Sequence, residues 1–468
     1  MTPRPATEPV TGLVAELVGG LTDIVGAEHV LVDADVRATY EVDWTRRYRG
    51  SCAAVVRPGS TAEMAAVLRR CTELDITAVP QGGNTGLVGG GVPRSGAGAP
   101  TVVVSTLRLT SLGPVDVGAA QVTLGAGVTL AAWRDHARAA GLDAPIDFAA
   151  RDSATIGGAI ATNAGGSRVV RFGTMRQQVM GLEAVLADGS VIGSLSGLPK
   201  ETVGIHLPSL LSGSEGTLAI VTAARLRLVP WYRRTITAMI AVADLDDAVT
   251  LLGRLRGTVG SLDAVELVLP AALELVAAHV GSTPPVSTAG AGAFVLVDCA
   301  AHDDPSDELT AVLGDAAEVL DAAVTTEGPA REHLLVFRDR ITEAINAAGV
   351  PFKLDVAVPV GRLAELLEVA HRSIDRHGGR LVPFGHLAEG NVHLNVLDPG
   401  DPTAIADEVL GAVAAMGGTI SAEHGVGIAK TPWLHLVRTP AELATMSAVK
   451  HALDPAGTLN PGVLQPPA

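Results

Sequence analysis

Hydrophobic positions near the start of the chain recur at helical spacing. Leu13, Leu17, Leu21 and Ile24 fall on one face, so residues 9–47 read as a helical lead-in. From Ala53 the rhythm changes to short apolar runs. Ala53-Ala54-Val55-Val56 reads as a buried strand, and Thr61 to Cys71 as a helix with Thr61 in the N-cap position. Ile76 to Val79 is a second strand, ended by Pro80. A glycine-dominated stretch over 80–98 follows, then a strand from Thr101 to Ser105, and further strands are expected at 121–125, 182–186 and 219–228. Pro230-Trp231 breaks the pattern. Beyond it, helices are expected at 244–256, 270–278, 306–322, 330–348, 360–377 and 402–417. Short strands fall between them at 236–242, 293–298, 353–358, 380–384 and 391–397. That alternation points to an α+β domain, a mostly antiparallel sheet with helices on one side. The expected division is a lead-in over 1–47, a first domain over 48–230 and a second over 231–468.

Composition narrows the class. A chain of 468 residues exceeds what one core usually supports. With 47% hydrophobic and 18% charged residues it is a globular sequence, and with aromatics at 3% its cores must be built from Ala, Val, Leu and Ile. A net charge of −16 argues against nucleic acid, which needs a basic surface, and means that an anionic substrate requires a local cluster of Arg, Lys or metal. Cys52, Cys71 and Cys299 form no CxxC pair and read as small buried apolar residues in a reducing compartment. The first residues lack the apolar core of a signal peptide, and no run is long enough to span a bilayer. A cytoplasmic location is the expectation.

Three glycine-rich loops lie in the first domain. Residues 80–91, Pro-Gln-Gly-Gly-Asn-Thr-Gly-Leu-Val-Gly-Gly-Gly, permit positive φ and can turn successive N–H groups onto one point, a nest for phosphate oxygens that needs no basic side chain. This is neither a Walker loop nor a GxGxxG opening onto a helix; taken alone it is also compatible with a flexible hairpin. The second loop, 154–166, reads Ala-Thr-Ile-Gly-Gly-Ala-Ile-Ala-Thr-Asn-Ala-Gly-Gly. The third, 212–222, reads Ser-Gly-Ser-Glu-Gly-Thr-Leu-Ala-Ile-Val-Thr and leads into a strand. Three such loops are hard to explain as linkers in a compact domain, whereas a long phosphate-bearing cofactor would use all of them.

In order, spacing and identity these stretches resemble the FAD-binding domain of the vanillyl-alcohol oxidase superfamily, the PCMH-type domain, over residues 50–230. The resemblance implies FAD held by two α+β subdomains. It assigns cofactor contacts to Pro80, Gly82, Gly83, Asn84, Thr85, Gly86, Leu87, Ser153, Gly157, Gly158, Thr162, Asn163, Gly165, Gly213, Glu215, Gly216 and Ile220. Members with covalent flavin usually carry His in the first loop; Asn84 stands there, which implies non-covalent FAD.

The second domain carries a different constellation, Phe384-Gly385-His386-Leu387-Ala388-Glu389-Gly390-Asn391-Val392-His393-Leu394-Asn395. His393 and Asn395 lie two apart on an expected strand and face the same way, and His386 precedes the turn. Downstream, Glu423 and His424 stand in a Gly-rich loop. Two His and one Glu suit a catalytic metal with open positions, zinc most simply, manganese or iron as alternatives. Each histidine taken alone also reads as a hydrogen-bonded structural residue. Upstream, Arg338 and Thr342 lie four apart on an expected helix, and Lys353 and Asp355 alternate away from the apolar set of their strand. Arg338 and Lys353 would supply the positive charge that a carboxylate requires. A solvated helix face, with Arg340 paired to Glu343 and Arg338 in water, fits the same pattern.

This half is similar to the C-terminal domain of FAD-linked oxidases acting on D-lactate, glycolate and D-2-hydroxyglutarate, through the motifs GHxxxGNxHxN and EHGxG. The resemblance implies His386, His393 and Glu423 as metal ligands, Asn395 as a substrate contact, His424 as the catalytic base and Asn460 as a residue near the flavin. The Phe-Arg-x-Arg-Ile-Thr-Glu-Ala and Lys-x-Asp-x-x-x-Pro stretches look most like D-2-hydroxyglutarate dehydrogenases, where residues matching Arg338, Thr342 and Lys353 are associated with the distal carboxylate. The expected function is metal-assisted, FAD-dependent oxidation of a D-2-hydroxy acid, with D-2-hydroxyglutarate as the lead. D-lactate or glycolate oxidation, an NAD(P)H-fed reductase and a non-catalytic flavin-binding protein are the alternatives. An electron-transfer flavoprotein is the favoured acceptor, quinone and dioxygen remaining open, and a homodimer is carried as an expectation that no motif decides.

Overall fold

The computed structural model describes residues 8–94 and 100–465. They divide into two compact units. One comprises the described residues through Ala164, Thr174–Pro230 and the chain from His424 onward; the other comprises Gly165–Gly173 and Trp231–Glu423.

The first unit holds two sheets. Strands β1 (Val30–Leu31), β2 (Ala54–Val56), β3 (Thr77–Gln81) and β4 (Thr101–Ser105) form one, in the order β1-β2-β4-β3. β2 and β3 both run parallel to β4, and the helix Thr61–Glu73 supplies the crossover that parallel strands demand. That helix is capped by Ser60, whose hydroxyl accepts from the Glu63 N–H at 3.1 Å, and not by Thr61 as expected. The Thr61 hydroxyl instead donates to Glu183. The first glycine loop leaves the C-terminal end of β3.

The second sheet contains β5 (Gln121–Gly125), β7 (Val179–Val185), β8 (Val191–Ser194) and β9 (Ile220–Arg227), antiparallel in the order β5-β9-β7-β8. A two-stranded ladder joins β6 (Leu142–Asp143) to β10 (Val229–Pro230). Leu17, Leu21 and Val25 of the lead-in helix Glu8–Val25 share one core with Val56 and Leu68 and with Leu124, Trp133, Leu182 and Leu226. The lead-in is thereby a packed layer of this unit.

The second unit is built on one antiparallel sheet of seven strands: β11 (Arg234–Val242), β12 (Leu262–Val268), β13 (Ala293–Ala301), β14 (Val319–Thr325), β15 (Phe352–Ala357), β16 (Arg380–His386) and β17 (Asn391–Leu397). Their order is β14-β11-β13-β12-β16-β17-β15. Two expected helices are altered. The one placed at 306–322 stops at Asp315, and the following residues form edge strand β14, because pairing with β11 overrides the helical preference of an Ala-rich run. The one placed at 330–348 is interrupted at Arg340, giving Gly328–Asp339 and Ile341–Ala348. β12, which sequence alone left unassigned, lies beside β16 and proves central to the site.

Candidate active site

In the first unit the three glycine loops converge. β3 runs through Pro80, which was expected to end it, to Gln81, and the next residues pack against the start of the second loop so closely that only glycine fits. A Cβ on Gly82 would lie 2.4 Å from the Thr155 hydroxyl, and one on Gly83 1.8 Å from the Ser153 carbonyl oxygen. Asn84 adopts the left-handed conformation (φ 53°) and its Nδ2 donates to the Val42 carbonyl at 2.8 Å. Thr85, Gly86 and Leu87 complete the turn, with open space where a Gly86 Cβ would stand. None of the backbone N–H groups of residues 82–87 donates to another described residue, although most of the loop is half-buried. Consecutive half-buried donors without protein acceptors fit the phosphate oxygens of a dinucleotide.

The second loop forms the short helix Ile156–Thr162. Thr155 caps it, accepting from the Gly158 N–H at 3.3 Å, and Thr162 donates to the Gly158 carbonyl at 3.2 Å. Gly157 is required by packing, since its Cβ would lie 2.9 Å from that of Ala126. Asn163 (φ 52°) ends the helix, and its Oδ1 accepts from the Thr174 hydroxyl and the Arg176 N–H, both at 2.9 Å. The third loop docks on this helix end: Gly213 N–H donates to the Ile160 carbonyl at 3.0 Å and Glu215 N–H to that of Ala161 at 2.8 Å. A Cβ on Gly216 would lie 2.3 Å from Pro80 Cγ, which ties the third loop to the first. Asn460 staples both, its Nδ2 donating to the carbonyls of Gly90 at 3.0 Å and Glu215 at 2.8 Å. Several side chains expected to touch the cofactor are thus engaged by the protein: Asn163 and Asn460 as above, Glu215 by backbone N–H groups, and Ile220 in the core at the start of β9. Gly165 lies in the other unit, where a Cβ would stand 3.1 Å from Glu423 Oε2.

The second unit gathers His386, His393 and Glu423. Hairpin β16–β17 sets Phe384 opposite His393, and pairing with β15 sets Asp355 opposite His393 and Lys353 opposite Asn395. The two Nε2 atoms lie 3.3 Å (His386) and 3.4 Å (His393) from Glu423 Oε1, and one ligand atom from each of the three residues falls within 4.8 Å of the others. Behind each ring stands a carboxylate. His386 Nδ1 is 2.7 Å from Glu266 Oε1, and His393 Nδ1 faces Asp355 Oδ1 at 3.2 Å. Asp355 also accepts from Asn391 Nδ2 at 2.8 Å and from the Glu423 N–H at 2.9 Å, while the Gly166 N–H donates to Glu423 Oε2 at 2.8 Å. A carboxylate hydrogen-bonded to the far nitrogen of one histidine and a second carboxylate beside that of the other, with the near nitrogens convergent on a third ligand, are the surroundings a divalent cation uses. The donor set fits such an ion.

Without metal the cluster is strongly polarised. Burial pulls the His386 imidazole down, but Glu266 and Glu423 outweigh it and push it up to about 10. Burial raises the Glu266 carboxyl, yet Arg338 and His386 hold it at about 2. Glu389, in the turn between β16 and β17, is pushed up to about 7 by burial, with His386 drawing it back. Glu266 went unmarked in the sequence reading, and Asp355 and Glu389 were given no role there. Glu266 sits on a strand whose apolar neighbours dominate the pattern, and no motif flags it.

The residues expected to hold a distal carboxylate connect to this cluster. Arg338 pairs with Glu266 and stacks over Phe384, its guanidinium carbon 5.1 Å from the ring centre. Lys353 Nζ donates to Asn395 Oδ1 at 3.0 Å, and Asn395 Nδ2 donates to the carbonyls of Val382 and His393. Asn395 therefore orients Lys353. Arg338 belongs to the last turn of one helix and Thr342 to the first turn of the next, so their four-residue spacing does not by itself put them on one face. Arg340 does pair with Glu343, but Arg338 is not in water: its side chain is only 14% exposed. His424 follows Glu423 in the chain and opens the last segment of the first unit.

Comparison with known proteins bears on both units. Residues 52–193 match the FAD binding domain family, and residues 232–464 match the FAD linked oxidases, C-terminal domain family. The chain is 37% identical over 449 residues to D-2-hydroxyglutarate dehydrogenase of Xanthomonas citri pv. viticola, covering 91% of this chain and 92% of that protein. It is 34% identical over 456 residues to the mitochondrial D-2-hydroxyglutarate dehydrogenase of Bos taurus, covering 93% and 81%. Among solved structures, p-cresol methylhydroxylase with substrate bound superposes with a TM-score of 0.78 at 16% identity, covering 97% of each chain; that likeness is one of fold and agrees with the PCMH-type α+β reading. With both halves matched and such relatives covered over most of their length, the chain belongs to the FAD-linked oxidases and is an FAD-dependent oxidoreductase.

Proposed function

We propose that this chain oxidises a D-2-hydroxy acid to its 2-oxo acid, with D-2-hydroxyglutarate as the substrate. One observation carries the reading: two histidines, each backed by a carboxylate, turn their Nε2 atoms toward Glu423, and Arg338 and Lys353 are joined to them through Glu266 and Asn395. The names of the two relatives above support the choice of hydroxy acid. Bound FAD supplies a hydride acceptor at N5, and a divalent ion held by His386, His393 and Glu423, zinc by its donor set, supplies Lewis acidity. His424, adjacent to a ligand in the chain, takes the hydroxyl proton as general base. Arg338, Thr342 and Lys353 hold the distal carboxylate, and with it the distance from Cα to its acceptor. Electrons leave through an electron-transfer flavoprotein, in keeping with the absence, among the described residues, of any helix long and apolar enough to cross a membrane.

A second reading has its own support. Arg338 is already paired with Glu266 and Lys353 with Asn395, which favours a monocarboxylate such as D-lactate or glycolate. An anaerobic titration separates the two: D-2-hydroxyglutarate, D-malate, D-lactate and glycolate are added in turn while the visible flavin band is followed, with and without chelator. Bleaching by the D-dicarboxylates that chelator abolishes is the expected result. Bleaching by D-lactate or glycolate alone would sink the distal-carboxylate assignment, and chelator-insensitive bleaching would sink the metal.

A further inference from the structure

The flavin-binding unit contains a buried carboxylate whose two oxygens are both taken up by backbone N–H groups of the protein. Glu215, only 8% exposed, sits in the left-handed conformation (φ 51°) within the third glycine loop. Its Oε1 accepts from the Val426 N–H and its Oε2 from the Gly427 N–H, both at 2.8 Å. The next two amides, of Ile428 and Ala429, donate to one carbonyl of the first loop, that of Val88, at 3.0 and 3.2 Å. Four successive N–H groups beginning two residues after His424 are thus held by acceptors from two cofactor loops. Glycines make the approach feasible: a Cβ on Gly425 (φ 82°) would lie 3.0 Å from Glu215 Oε1, and one on Gly427 (φ 54°) 2.1 Å from the Val88 oxygen. Glu215 is itself anchored, its carbonyl accepting from Asn460 Nδ2 at 2.8 Å.

We infer that Glu215 is a positioning residue for His424: the loops that cradle the flavin also hold the segment bearing the base. Ionised, the carboxylate makes two charge-assisted hydrogen bonds, roughly twice as strong as neutral ones. Burial raises its carboxyl above the usual range, and the two N–H groups and Lys430 oppose that rise. Occupancy of the loops by FAD then stiffens residues 424–429, and base placement follows cofactor loading.

This inference rests on His424 acting as base, and its test is built to tell the two apart. Amide hydrogen exchange over 424–430 is followed in the full chain with and without FAD, for the native protein, Glu215→Gln, Glu215→Asp and Glu215→Ala. Flavin content and steady-state constants for D-2-hydroxyglutarate are measured in parallel. Removing a buried acceptor should speed exchange at Val426 and Gly427 about tenfold or more, lower kcat by a similar factor and leave KM and flavin content nearly unchanged. Glu215→Asp, which keeps the charge but shortens the reach, should fall between Gln and native; stripping FAD from the native protein should speed the same amides. Unchanged exchange in all three variants would overturn the clamp even if turnover fell. Faster exchange with full turnover would overturn the positioning role, and retained turnover in His424→Ala would place the error in the base assignment.

Discussion

At the scale of single residues, Glu266 does the most with the least sequence signal. One carboxylate serves Arg338 and His386, and the two cations together overcome its burial and hold it at about 2. A carboxyl depressed below its unfolded value of about 4.3 contributes stability that is present above that pH and lost as the pH falls toward its folded value. Glu266→Gln should therefore be less stable than the native protein at pH 6, metal-free in chelator, and the gap should close between about pH 4.3 and pH 2. Thermal unfolding by circular dichroism across that range checks it; a constant gap would mean that shape, and not charge, is responsible. The same reasoning applies to metal binding. Replacing a carboxylate that orients a ligating histidine typically costs 10- to 100-fold in affinity, so Asp355→Asn and Glu266→Gln should each weaken zinc by roughly that factor in a chelator competition. If neither moves the competition curve, the carboxylates are structural.

Between residues and elements lies the reason some of this was legible and some was not. The glycine loops declared themselves because backbone close approach has one chemical solution: Gly82, Gly83 and Gly216 each face an atom that a Cβ would strike. His386, His393 and Glu423 were visible as metal-ligand types in one strand–turn–strand and one loop. Glu266 was not, because an acid in Leu-Asp-Ala-Val-Glu-Leu-Val looks like a polar position of any strand, and its role appears only when β12 is placed beside β16. Edge strand β14 was invisible for a related reason: its state is decided by pairing with β11 and not by its own residues. Packing likewise limits substitution at the element scale. Gly83→Ala must push the first loop off the Ser153 carbonyl, 1.8 Å from the new Cβ. It should weaken FAD affinity by at least about tenfold, with overpacking of 1–3 kcal/mol in the loop and little loss of folded protein. Fluorescence of released flavin on dilution measures this, and unaltered affinity would show the loop to be pliable.

For the whole molecule, each unit has a core of its own, and each core encloses a thiol reporter. Cys52 and Cys71 are buried in the flavin-binding unit and Cys299 in the unit with the histidine cluster. Burial pushes all three thiols up to about 12, so at neutral pH they react with an alkylating reagent only when the surrounding structure opens. A ligand that binds only the closed form suppresses opening by its occupancy, about 100-fold at 100 times its dissociation constant. FAD at that concentration should slow labelling of Cys52 and Cys71 by about that factor and leave Cys299 nearly as fast, whereas zinc should protect Cys299 first. Mass spectrometry of tryptic peptides after timed alkylation resolves the three sites. Equal protection of all three by FAD alone would mean that the units open as one, and that cofactor loading stabilises the histidine cluster without touching it. Zinc that protects none of them would argue that His386, His393 and Glu423 hold each other through Glu266 and Asp355 and need no ion to stay together.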